Sequence, residues 1–293
     1  MFVNIKIAGI VLRLNAQQEL LLTSELMPFF VGDSEEPDVT VRVSFDWGDA
    51  DILRSKPVGR DRLLIYYREG GSCYCQLDGG TRPAIAQTKY TPDFSKIQCT
   101  INTEEYDVPQ KHVHQILRML PIRQILLSKN VLFFHASQVL YERKGILFSA
   151  PSGTGKTTQA RLWQQYRNAK IICNDRTLLR KGGGQWMTHG YPYDGSEPVG
   201  SNSSHPLACI VLLEQGSENK LVRLKPAKAI TRLMRQAVID GWDLASQQKA
   251  LELIAAVFED VPVYALCCTI SAQAVTVLEK SLQKEGIIHG KSI

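Results

Sequence analysis

The sequence predicts an α/β fold: a β-rich N-terminal region, then a domain in which strands and helices share a sheet. Three observations carry this. Up to about residue 108, short runs of alternating or β-branched residues are separated by turn-forming clusters. At about residue 109 the apolar spacing becomes helical. Between Gly145 and Trp163, a strand-like run feeds a glycine-rich turn that opens a helix-like run. A chain of 293 residues fits one large domain or two smaller ones. We read 1–108 as an accessory or recognition region, 109–130 as a helical connector and 131–293 as the α/β domain.

Taken in order, Phe2 to Leu14, Val39 to Phe45, Arg62 to Arg68, Ser72 to Leu77, Ala84 to Tyr90 and Lys96 to Ile101 read as strands. Glu69-Gly70-Gly71 and Asp78-Gly79-Gly80 suggest antiparallel hairpins. From Pro109 to Lys129 the apolar residues Val113, Ile116, Leu117, Leu120, Ile125 and Leu126 share a helical face that Pro121 interrupts, so two helices with a kink are expected. His112 and His114 lie two apart, which suits solvation or capping better than a shared metal. Val131 to Tyr141 is a strand carrying His135, and Glu142 to Gly145 turns it tightly into the strand Gly145 to Phe148, which suggests an antiparallel pair. Ala169 to Asp175 is an apolar strand ending in an acid, and Leu178 to Thr188 is a hairpin around Gly182-Gly183-Gly184. His189 to Ser204 is a long polar loop with aromatics, the kind of segment that carries binding. Strands at Leu207 to Leu213, Leu221 to Leu224 and Val261 to Cys268 follow, with helices from Pro226, at Ser246 to Phe258 and at Ser271 to Lys284. Arg232 and Arg235 lie on the first of these helices, where one of them could stabilise charge on a moving phosphoryl group.

Composition narrows the function classes. The hydrophobic fraction of 44% is that of a globular protein, and the net charge of +5 comes without a lysine or arginine block, so no nucleic-acid groove is indicated. No run of about 18 apolar residues exists, so no membrane span is expected. The apolar start Met1 to Leu12 alternates and contains Asn4 and Lys6, which fits a strand better than a signal-peptide core, and the cytoplasm is the expected location. The seven cysteines lack a CxxC pair or a repeated spacing, so they read as small core hydrophobes.

The chemistry-bearing stretch is Phe148-Ser149-Ala150-Pro151-Ser152-Gly153-Thr154-Gly155-Lys156-Thr157-Thr158. It matches a phosphate-binding loop, with Ala150 standing where the GxxxxGK[ST] pattern has its first glycine. Small residues let backbone N–H groups converge on an anion, and the helix N-terminus adds about half a positive charge. The nucleotide would be held by Ser152, Gly153, Thr154, Gly155, Lys156, Thr157 and Thr158. Lys156 would reach the outer phosphates, and the Thr157 hydroxyl and Asp175 would hold Mg²⁺. A glycine-rich turn with no function is the plain alternative.

His135 before the loop, Asn174-Asp175-Arg176, Gly190-Tyr191-Pro192, Pro206-Leu207 through Leu213-Glu214-Gln215, and Leu224-Lys225-Pro226-Ala227 occur in that order. Over roughly residues 130 to 285 this resembles the HPr kinase/phosphorylase-like family, similar in core to ATP-dependent phosphoenolpyruvate carboxykinase. The resemblance implies a mixed or largely antiparallel sheet with the phosphate loop at its edge, in place of the parallel sheet that the loop alone suggests. It also implies ATP, Mg²⁺ and transfer of the γ-phosphate to a hydroxyl, His135 near the nucleotide, and self-association, since HPr kinases form hexamers. The family commonly has two adjacent aspartates where this chain has Asn174-Asp175. Asp175 must therefore serve both metal and proton, or Glu197 or His135 must share the work. The HPr kinase signature stretch is missing, which leaves the acceptor open between a serine of a peptide or protein and a small molecule. Two other readings stand beside the kinase: an ATP-binding module that presents the β-rich half to a partner, and a carboxykinase-type small-molecule enzyme.

Overall fold

The computed structural model describes residues 1–106, 111–192 and 202–289. They divide into two compact units, Met1–Lys129 with Asp240–Gln247, and Asn130–Ile239 with Gln248–Ile293. No helix among the described residues is long and apolar enough to cross a membrane.

The first unit is built on a nine-stranded sheet of β1 (Phe2–Ile7), β2 (Ile10–Ala16), β3 (Phe30–Val31), β4 (Val39–Ser44), β5 (Gly59–Arg60), β6 (Leu64–Glu69), β7 (Ser72–Leu77), β8 (Ala86–Tyr90) and β9 (Ile97–Ile101). Their spatial order is β3-β1-β2-β4-β9-β8-β7-β6-β5. The run expected as one strand from Phe2 to Leu14 is a hairpin instead. Ala8 and Gly9 both take positive φ, 51° and 75°, the geometry of a tight hairpin turn, and alanine gives little warning of it. The turn at Gly70 and Gly71 does join an antiparallel pair, β6 and β7, whereas β4 lies parallel to both β2 and β9.

Two short helices, α1 (Val113–Met119) and α2 (Ile122–Ser128), belong to this unit. They are separated because Leu120 is extended (φ −94°, ψ 151°), the conformation forced on a residue before proline. The orphan carbonyl of Met119 is satisfied by the Thr88 hydroxyl at 2.8 Å. Residues 240–247, which the 131–293 boundary assigns to the α/β domain, lie in the first unit. There Asp240 accepts from Gln124 at 3.0 Å and from Arg123 at 2.8 Å, and Asp61 pairs with the same guanidinium. Trp242 covers Gly59 and tilts against Tyr66, with ring centroids 4.6 Å apart.

The second unit contains β10 (Leu132–Tyr141), β11 (Lys144–Ser149), α3 (Lys156–Arg167), β12 (Lys170–Cys173), β13 (Arg176–Gly182), β14 (Gln185–His189), β15 (Ser204–Gln215), β16 (Lys220–Arg223), α4 (Pro226–Met234), α5 (Leu244–Asp260, entering from the first unit), β17 (Val263–Cys268) and α6 (Ala272–Lys284). It is a mixed α/β arrangement. β11 runs antiparallel to β10 and parallel to β15, and β15 runs parallel to β17. The pairings β11-β10-β13-β14-β15 return to β11, so five strands close a ring. Inside it, Gln138 donates to Thr188 at 2.7 Å, and both side chains are fully buried. Gly145 is required there, because a Cβ would lie 2.7 Å from the Thr188 hydroxyl. Outside the ring, α3 and α6 bury Trp163, Leu162, Val275 and Leu278 against Tyr141, Phe148 and Tyr264. Trp163 meets Tyr141 edge to face at 5.3 Å.

The glycine turn leaves from the end of β11, which has a neighbour on each side, so the turn sits at the end of an interior strand and not on an edge strand.

Candidate functional site

β11, β15 and β17 are parallel, so their C-terminal ends Ser149, Gln215 and Cys268 share one end of the sheet. The turn 150–155 sits there. Gly153 and Gly155 have φ of 79° and 110°, values that a side chain tolerates poorly, and the space around a Cβ at Gly153 is open. Glycine is thus demanded by backbone geometry and not by crowding. Gly155 is the residue before α3, so the turn ends on the positive pole of a twelve-residue helix. On either side Ser149 donates to the His135 carbonyl at 2.7 Å, and the Gln215 amide donates to the Gly153 carbonyl at 3.4 Å.

Lys156, the first residue of α3, is buried, with its ammonium donating to the carbonyls of Ala150 at 2.9 Å and Pro151 at 3.3 Å. Burial lowers its pKa, and the charge of Asp175 partly offsets this. Ser152 is exposed, while Thr154, Thr157 and Thr158 are half-buried around the same turn.

Asp175 is placed by a break in a strand. β12 pairs with the C-terminal half of β10, and β13 pairs with its N-terminal half, so residues 170–179 run along β10 with a break in the strand at 174–175. At the break Ser137 donates to the Asn174 carbonyl at 2.8 Å, and the Ala136 N–H donates to the Asp175 carbonyl at 3.1 Å. The Asp175 carboxylate is thereby turned to His135, whose Nε2 lies 3.1 Å away, and to Arg176 at 3.5 Å. Burial lowers the His135 pKa, nearby Lys156 lowers it further, and Asp175 pulls it back up. The charge of Asp175 therefore bears on both His135 and Lys156.

The structure thus brings together His135, Lys156, Asp175 and the turn residues 152–158. Glu197 lies outside the described residues, as does much of the expected binding loop. Among the described residues no three His, Cys, Asp or Glu side chains form a metal cluster. The strand and helix patterns pass over two further contributors, Glu214 and Gln236. Glu214, next to the Gln215 that holds the turn, pairs with Arg232 at 2.6 Å. Gln236 accepts the His135 N–H at 2.9 Å through its backbone carbonyl. A backbone contact of that kind leaves no trace in side-chain identity.

The class that fold and site define is a mixed α/β protein with a glycine turn at a helix start, beside a histidine–aspartate pair. The chain belongs to the family described as SynChlorMet cassette protein ScmC, whose family model matches residues 97–283. No curated protein matches it. Among solved structures it is similar to the Hpr(Ser) kinase/phosphatase from Coxiella burnetii, with 12% identity over 53% of this chain and 99% of that one, and a TM-score of 0.32. So low a score carries no weight for function.

Proposed function

We propose that this protein is an ATP-dependent phosphotransferase of the HPr kinase-like type, moving the γ-phosphate to a hydroxyl of a peptide or protein serine or of a small molecule. The observation that supports this most is the convergence of Lys156, at the start of α3, with the His135–Asp175 pair at the strand break. ATP would be held by backbone amides of Ser152 to Lys156 and by the Lys156 ammonium, with the γ-phosphate toward Asp175. The donor set suits Mg²⁺, because Thr157 and Asp175 offer hard oxygens and the phosphates would supply the remainder. When bound, the ion would neutralise phosphate charge. Asp175 would take the proton of the acceptor hydroxyl, and His135 would fix the carboxylate's orientation.

The test is incubation with Mg-ATP and a panel of serine peptides and small alcohols, read by mass spectrometry for an added phosphoryl group of about 80 Da. Lys156→Ala should abolish transfer. Asp175→Asn should keep ATP binding and lose turnover, and full turnover by that variant would overturn the assignment. A second reading, an ATP-binding module without transfer, is favoured by the single carboxylate at Asn174-Asp175. It predicts ATP binding and no labelled acceptor.

A further inference from the structure

Arg232 is bracketed by the site. Four residues further on, Gln236 accepts the His135 N–H, and Ala237 bridges Phe134, so the segment that follows α4 lies along the part of β10 that β11 has already left. On its other side Arg232 is held at 2.6 Å by Glu214, whose neighbour Gln215 holds the Gly153 carbonyl. In the parallel register Ser149 is opposite Leu212, so Glu214 stands beyond the end of β11, level with the turn. A guanidinium whose carboxylate partner adjoins the residue that holds the turn, and whose own segment leads to His135, is suited to a phosphate oxygen. It is mostly buried, 21% exposed at the side chain, while its carboxylate partner is 52% exposed.

We infer that Glu214 is a positioning residue that holds Arg232 in reserve, and that the guanidinium exchanges this carboxylate for the terminal phosphate of a nucleoside triphosphate. The carboxylate offers two oxygens and the terminal phosphate three, and either can accept from the fork of arginine, so the exchange conserves hydrogen bonds while the phosphate brings more charge. A diphosphate leaves the pair intact. The inference rests on the nucleotide reading of the turn and adds to it a device that distinguishes ATP from ADP.

The experiment is titration calorimetry of the full chain with Mg-ATP and with Mg-ADP, comparing the ratio of the two affinities. Glu214→Gln should raise the preference for ATP by about two- to fivefold, the range that release of a partly exposed ion pair allows. Arg232→Gln should lower that preference, and the double variant should match Arg232→Gln alone. A merely structural pair would weaken both nucleotides alike, and that result overturns the inference. So does an unchanged ratio in Glu214→Gln when Lys156→Ala abolishes ATP binding. Absence of ATP binding by the unmodified chain would instead overturn the nucleotide reading beneath it. Glu214→Asp, which keeps the charge, should restore the original ratio and guards against misfolding.

Discussion

In the first unit Arg123 is clamped between Asp61 and Asp240, with Gln124 and Tyr90 continuing the chain of hydrogen bonds, and the Asp240 side chain is 4% exposed. In the second unit His135 and Asp175 also pair, yet their side chains are 31% and 37% exposed at a strand break beside a buried lysine. The contrast separates two uses of charge. A closed cluster satisfies every member internally and fixes a segment of chain. An open one keeps its side chains partly exposed, and there the charges of Lys156 and Asp175 bear on the protonation of His135.

The largest effects should come from the open cluster. If the chain acts as the proposed phosphotransferase, Asp175→Asn should reduce transfer by about 10²- to 10⁴-fold with nucleotide affinity kept, measured by steady-state kinetics with any acceptor found. If the pair is only structural, unfolding midpoints will move and turnover per folded molecule will not. The closed cluster should show the reverse. Arg123→Ala leaves the Asp240 carboxylate buried without its cation and should cost about 3–5 kcal/mol in urea unfolding of the first unit, with no direct effect on the turn at 150–155.

A smaller effect comes from His189 on β14. Burial, with Arg180 and His205 nearby, pushes its pKa down to about 4 from 6.5. The unfolded chain then binds the proton more readily, so stability present above pH 6.5 falls as pH drops from there toward about 4. At about 1.4 kcal/mol per unit the loss is of order 3 kcal/mol, and His189→Gln should flatten this limb of a pH-dependent unfolding curve. Smallest is Gly145→Ala. The new methyl meets Thr188 inside the ring, where Gln138 already fixes the hydroxyl, and about 1–3 kcal/mol of destabilisation is expected by thermal unfolding.

Much of this was legible in sequence where a local pattern carries a local cause. The strand, glycine turn and helix around Lys156 are specified by neighbouring residues, as are the antiparallel pair β10–β11 and the proline break between α1 and α2. What local pattern cannot carry is pairing at a distance. The parallel insertion of β4 between β2 and β9, the ring closure through β11 and β15, and the bond from His135 to Gln236 join residues far apart through main-chain groups that every residue possesses. The hairpin at Ala8-Gly9 escaped for a different reason, since alanine there adopts a backbone angle that its type seldom takes.

The return of residues 240–247 to the first unit has a consequence for how the molecule is made. Asp240 meets Arg123 across 117 positions of chain, all of the intervening second-unit segment. During synthesis the N-terminal sheet can form while Arg123 still lacks that partner, and its charge cluster completes only after the glycine turn and most of the second sheet have left the ribosome. A truncation after Lys129 would leave that guanidinium with Asp61 alone and remove Asp240 for good, so the first unit is completed only by chain that follows most of the second.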